Sequence, residues 1–252
     1  MTDIAEHYAS HLAPIYLWMA GGYDAAMSRG EAEIEAICPG RANGQIAVDL
    51  GAGFGMHAVP LARRGCSVVA IDTSAILLGI LRDHVDGLPV QTIDDDLRAF
   101  QKHLDTKVDL ILCMGDTLTH LPDHRSVEKL FTDIANSLHA DGRFIVTFRD
   151  YTTPLNGNER FIPVRSDADR ILTCFLEYTD DHVTVHDILH ERSATVWQQR
   201  ISSYRKLRLS PEWIVKSLQV RGFTVRVEPG LAGMLRVIAI VSGTGVSAGV
   251  PA

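Results

Sequence analysis

Apolar positions along the chain cluster in two distinct rhythms. Short apolar runs at 46–48, 67–71, 90–93, 108–114 and 143–148 predict buried strands. Between them, 57–64, 75–84 and 126–139 carry apolar residues at helical spacing. Strands alternating with helices predict an α/β domain built on a mostly parallel sheet. Ser74 is placed to cap the helix at 75–84, and Ser210 the one at 211–220. Gly65 is placed to stop the helix at 57–64, and Asp141-Gly142 reads as a turn before the strand at 143–148. Residues 4–18 and 23–38 read as helices broken at Gly21-Gly22. The stretch 151–209 is too long for a plain connection. Its alternation predicts strands at 173–178, 183–191 and 195–204, with Asp180-Asp181 turning between the first two. Strands at 223–227 and 235–241 close the pattern. The organisation expected is 1–40 as a helical lid, 41–150 as the ligand-binding core, 151–209 as an antiparallel insertion over the site, and 210–252 as the end of the core sheet and a tail that frays from Ser242.

Composition narrows the function classes. In 252 residues, 46% hydrophobic content supports a full core, and the formal charge of −7 argues against a general nucleic-acid binder. Cys38, Cys66, Cys113 and Cys174 form no C-x-x-C pair, so reduced thiols are expected and no metal site is. The start is polar and acidic, and no run approaches the ~18 apolar residues of a membrane span. The expectation is a soluble cytoplasmic protein with no membrane partner and an open oligomeric state that includes a homo-oligomer.

The strongest chemical signal is Asp49-Leu50-Gly51-Ala52-Gly53-Phe54-Gly55, between the first strand and its helix. Glycine permits the tight turn and lets a ligand approach the backbone. Asp72 stands at the end of the second strand, where a carboxylate can accept from both hydroxyls of a ribose. Together these point to a nucleotide-like ligand. Glycine spacing departs from G-x-G-x-x-G, because Met56 stands where the third glycine belongs. No Lys-Ser or Lys-Thr pair follows the turn, which excludes a P-loop. An acid at Asp49 suits a cationic ligand group and opposes a phosphate.

The pattern D-x-G-x-G-x-G resembles motif I of the class I S-adenosylmethionine-dependent methyltransferases. That resemblance implies a Rossmann-like seven-stranded sheet with an N-terminal helical lid and an antiparallel β insertion. It implies S-adenosyl-L-methionine as cofactor, held at the glycine turn by Asp49, Gly51, Ala52 and Gly53, and at the second strand by Asp72, Thr73 and Leu77. Asp96 and Leu97 match the adenine site, Asp96 being favoured over Asp95 by its spacing to Phe100. Cys113, Met114 and Trp18 complete the implied cofactor set. The N-terminal aromatics either pack on the core or cover the cofactor, whose sulfonium is attracted to ring faces.

Further along, Cys113-Met114-Gly115-Asp116-Thr117-Leu118-Thr119-His120-Leu121-Pro122-Asp123 and Arg149-Asp150-Tyr151 are similar to the corresponding loop and strand end of glycine N-methyltransferase and its small-molecule relatives. The resemblance implies that Arg149 grips a substrate carboxylate, with Asp116 and Tyr151 beside it. Asp116 and Asp150 replace asparagines of that pattern, so Asp116 either holds a cationic group or pairs with Arg149. His120 is the candidate base, Tyr8 the second, and a structural histidine is the competing reading. The implied activity is methyl transfer to a small-molecule acceptor bearing an amine or a carboxylate. A methyltransferase acting on RNA or protein, a non-catalytic S-adenosylmethionine-binding module and a nucleotide-dependent oxidoreductase are the alternatives.

Overall fold

The computed structural model describes residues 4–40 and 42–242. The expected fraying of the C-terminal tail falls on 243–252, outside the described residues. Seven strands form one sheet: β1 (Ile46–Leu50), β2 (Ser67–Asp72), β3 (Val90–Asp94), β4 (Val108–Cys113), β5 (Leu138–Phe148), β10 (Phe223–Pro229) and β11 (Leu235–Val241). Their order is β10-β11-β5-β4-β1-β2-β3. Pairing is parallel from β5 through β3, and antiparallel where β11 joins β5 and β10. The chain runs outward from β1 to β3, then returns to place β4 on the other side of β1. That reversal opens a crevice at the carboxyl ends of β1 and β4, where open α/β sheets bind ligands.

The four central strands are apolar because helices cover both faces. Val48, Leu50, Ile111, Phe144 and Val146 face one layer with α6 (His124–Ser137) and α7 (Pro211–Gln219). Ala47, Val68, Ala70, Leu110 and Leu112 face the other, with α3 (Tyr23–Ile37), α4 (Ala58–Arg63) and α5 (Ala75–Arg82). Ser74 caps α5 through the Leu77 amide, and Ser210 caps α7 through that of Trp213. The four cysteines carry no disulfide. No described helix is long and apolar enough to cross a membrane.

Three local expectations are corrected. Asp141-Gly142 is not a turn ahead of the strand: it lies inside β5, with Asp141 at φ 62° and the β4 register shifting between Val108 and Leu110. A bulge uses the same αL-tolerant residues as a turn, so the two look alike in sequence. The segment 4–18 is not one helix. It is broken into α1 (Ile4–His7), a π turn at Tyr8–Leu12, a 3-10 turn at Ala13–Ile15 and α2 (Tyr16–Met19). Pro14 opens the 3-10 turn, since it lacks the N–H a continuous helix needs. Finally, the insertion has four strands, not three: β6 (Phe161–Ser166), β7 (Arg170–Tyr178), β8 (His182–Ser193) and β9 (Val196–Leu207), antiparallel in that order. β6 is exposed throughout and carries a proline, so no buried alternation announces it.

Candidate active site

The glycine turn builds one wall of a cavity at the switch point. Gly51 sits at φ +76°, and a Cβ there would lie 2.5 Å from Thr117 Cγ2, so only glycine lets the loop after β4 close on the turn. Gly53, at φ +54°, also lines the cavity. A Cβ on it would meet nothing nearer than Leu77 at 3.8 Å, so its missing side chain leaves open space rather than packing. The Gly51 and Ala52 amides donate to Ile71 O, pinning the turn to β2.

Asp72 is fixed by the same turn. Its Oδ2 accepts from the Gly53 amide at 2.8 Å and its Oδ1 from the Ser74 amide at 2.7 Å. An ionised carboxylate has about four acceptor positions, so each oxygen keeps one free. That is the acceptor pair a ribose diol requires. Burial raises the Asp72 pKa, and the backbone donors oppose that rise. On the same side of the cavity lie Thr73, Leu77, Asp95, Asp96, Leu97 and Arg98. Asp96 caps the 3-10 turn at Leu97–His103 and pairs with Arg98, which holds its carboxyl below the usual range. Asp95 is instead held by Lys102 and His103.

At the inner end the cavity is lined by Tyr8, Tyr16, Gly115, Thr117 and His120. The Tyr8 hydroxyl lies 3.4 Å from His120 Nε2. The rings meet edge to face at 5.7 Å. Burial pushes the His120 pKa well below 6.5, and Lys206 and His7 act in the same direction. The imidazole is therefore neutral at pH 7. Burial raises the pKa of Tyr8 and Tyr16, so both hydroxyls keep their protons.

Comparison with known proteins now bears on this geometry. Residues 47–142 match the family model described as a methyltransferase domain. The structure superposes on the CcbJ methyltransferase of Streptomyces caelestis with a TM-score of 0.76 over 94% of this chain and 98% of that one, at 17% identity. The fold is that of the class I methyltransferases. An S-adenosylmethionine-bound amino pentose methyltransferase of Micromonospora echinaspora superposes at TM-score 0.68, with 16% identity and 91% and 96% coverage. Among curated relatives, a glycine/sarcosine N-methyltransferase of Halorhodospira halochloris is 29% identical over 110 residues, 41% of this chain and 40% of that protein. A glycine/sarcosine/dimethylglycine N-methyltransferase of Actinopolyspora halophila is 28% identical over 120 residues, 46% of this chain and 21% of that protein. The matches thus span two fifths or less of the relatives' length.

Of the expected site residues, Gly51, Ala52, Gly53, Asp72, Thr73, Leu77, Asp96, Leu97 and Met114 all line the cavity, as do Tyr8 and His120. Six expected site residues are not among its lining. Cys113 is fully buried in the core, as its place in a central strand demands. Trp18 donates its indole N–H to Asp167 and packs with Leu172 and Leu189 of the insertion. Asp49 is buried at the end of β1, and its Oδ2 has no partner among the described residues. Arg149 is exposed and donates from its guanidinium to Ala232 O at 2.9 Å. Asp116 and Tyr151 are buried beside each other, away from the cavity wall.

Asp116 organises the floor beneath that wall. It sits at φ 71°, a conformation aspartate tolerates better than most residues. Its Oδ1 accepts from the Arg149 amide, and its Oδ2 from the Tyr151 hydroxyl and from Lys206 Nζ at 2.5 Å. The cation Asp116 meets is therefore Lys206, from the insertion, while Arg149 offers only its backbone. Burial alone would lower the Lys206 pKa; Asp116 and Tyr151 override it, and the net shift is upward. Lys206 was legible only as a lysine two positions after Tyr204 on the inward face of a strand. Thr117, Leu121 and Pro122 also line the cavity with no signal beyond their neighbourhood, and Tyr16, one of the N-terminal aromatics, lines it too.

Asp49 makes a pH prediction. Burial pushes its pKa up to about 6, above the 3.8 of an unperturbed aspartate. The folded state binds this proton more tightly, so its contribution is complete below pH 4 and is lost as pH rises through 6. The lost stability is on the order of 2–3 kcal/mol. Urea titrations at pH 4.5 and 7 should show about two thirds of that loss for the wild type and much less for Asp49→Asn.

Proposed function

We propose that this protein transfers the methyl group of S-adenosyl-L-methionine to a small acceptor through a hydroxyl or a neutral amine. The observation that carries the reading is the neutral His120–Tyr8 pair at the inner end of a cavity whose other wall is the Gly53–Asp72 cradle. The family match and the class I fold support the cofactor. Asp72 would hold its ribose, Leu97 would pack on its adenine, and Gly53 would give it room at the backbone. When bound, the cofactor supplies a methyl carbon activated by a positive sulfur.

The chain's own residues then have three tasks. Tyr8 and Tyr16 cover the reacting end and exclude water, which shortens the list of competing nucleophiles. The uncharged His120 ring accepts a hydrogen bond from the acceptor's O–H or N–H and aims the remaining lone pair outward. An imidazolium would instead repel the cationic sulfur. For a hydroxyl acceptor, the His120–Tyr8 pair would take the proton that the oxygen gives up on methylation. For a neutral amine, the product leaves as an ammonium ion and no proton need move in the transfer step.

The electrostatics favour an acceptor without a carboxylate at this end. Arg149 is turned to Ala232, and the Lys206 charge is answered by Asp116. This departs from the carboxylate grip that the glycine methyltransferase resemblance implies. The test is a panel of hydroxyl, amine and amino-acid acceptors, with S-adenosylhomocysteine production followed directly. Turnover of hydroxyl or amine compounds is the expected result, with hydroxyl turnover reduced roughly 100-fold or more in His120→Gln. Turnover confined to amino acids and lost in Arg149→Ala would overturn the reading.

A further inference from the structure

Tyr8 belongs to a short, broken helical segment, yet it meets His120 across a cavity. Something must hold it there. The residue before it, His7, is fully buried, and both of its ring nitrogens are engaged. Nδ1 lies 2.7 Å from Ser202 Oγ, and Nε2 lies 3.0 Å from Asp187 Oδ2. Asp187 and Ser202 are direct cross-strand partners in the insertion, on β8 and β9. The other Asp187 oxygen accepts from the Cys174 thiol on β7 at 2.9 Å. On one face, Tyr204 stacks against His7 at 4.2 Å, and the same Tyr204 lies 5.5 Å from the His120 ring.

The helix changes character at this point. α1 ends at His7, and the π turn begins at Tyr8, with the Ala13 amide reaching back to Tyr8 O. A π turn rotates successive side chains differently from an α-helix, and such turns are frequent at functional sites. Here it sends His7 into the insertion sheet and Tyr8 toward the loop after β4. Neither residue could do so unless the other direction were anchored.

Resting on the reading of Tyr8 and His120 given above, we infer that His7 is a positioning residue: clamped by Asp187 and Ser202, it sets Tyr8 against His120 and couples the insertion to the reacting end of the cavity. The insertion then acts on the chemistry without lining the cavity. Buried, doubly bonded groups of this kind fix a geometry because leaving either partner unsatisfied is costly.

The ring-nitrogen resonances of His120 report the pairing without any turnover. They are identified by their absence in His120→Gln, and Tyr8→Phe records the unpaired signature. His7→Ala should reproduce the Tyr8→Phe shift, and the His7→Ala/Tyr8→Phe double variant should add nothing to it. Ser202→Ala removes one of the two clamps with little loss of packing, and should move the His120 resonances part of the way. It also serves if His7→Ala fails to fold. Leu218→Ala, in the core away from the site, loses stability but should leave His120 at its wild-type position. Wild-type His120 resonances in His7→Ala and Ser202→Ala, or additive shifts in the double variant, would overturn the inference. A failure of the functional reading looks different: His120→Gln would keep full methyl transfer while the His7-dependent resonance shifts persisted.

Discussion

Asp72→Ala should reduce S-adenosylhomocysteine affinity by at least two orders of magnitude while the protein stays folded. The carboxylate is partly exposed at the cavity wall, and each oxygen is already aimed by one backbone donor. Hydrogen bonds to a charged group contribute about 1.5–3 kcal/mol each, so losing two to a ribose diol corresponds to 100-fold or more. Asp72→Asn separates the contributions. It keeps one acceptor oxygen and should retain intermediate affinity. Calorimetric titration of the three proteins decides the matter. Wild-type affinity in Asp72→Ala would remove the ribose assignment and with it the orientation of the cofactor in the cavity.

The second large effect is on stability. Lys206→Met should destabilise the protein by about 3–5 kcal/mol, because it leaves the Asp116 carboxylate buried without its cation. The Asp116→Asn/Lys206→Met double variant should recover most of that loss. Asparagine tolerates the left-handed backbone at position 116, and no buried charge remains. Denaturant midpoints with unchanged slope would establish this. Equal losses in the single and double variants would mean that the lysine stem's packing, rather than the ion pair, holds the insertion to the core.

Much of this molecule can be read from its sequence, for identifiable reasons. The parallel strands are continuous apolar runs because helices bury both faces, and that pattern survives without any tertiary information. The glycine turn and Asp72 sit within one β-α-β unit, so their proximity follows from local geometry alone. All three residues, Gly51, Gly53 and Asp72, line the cavity. Prediction was poorer for residues whose role depends on distant partners. Arg149 follows a strand in the position expected of a substrate-gripping arginine, yet its side chain finds Ala232, 83 residues away. Trp18 has the aromatic character of a cofactor contact, yet it packs on the insertion.

The α/β core, the glycine cradle with Asp72 beside it and the loop carrying His120 are all written in local spacing and turn chemistry. What stands opposite that cradle depends on packing between distant parts of the chain. His7 meets Asp187 across 180 positions, and Asp116 meets Lys206 across 90. Polar pairing at such separation leaves no periodic trace, because either partner alone looks like a solvated polar residue. Folding brings the two together and removes water from around them. That step turns His120 into a neutral imidazole and gives the cavity its chemical character.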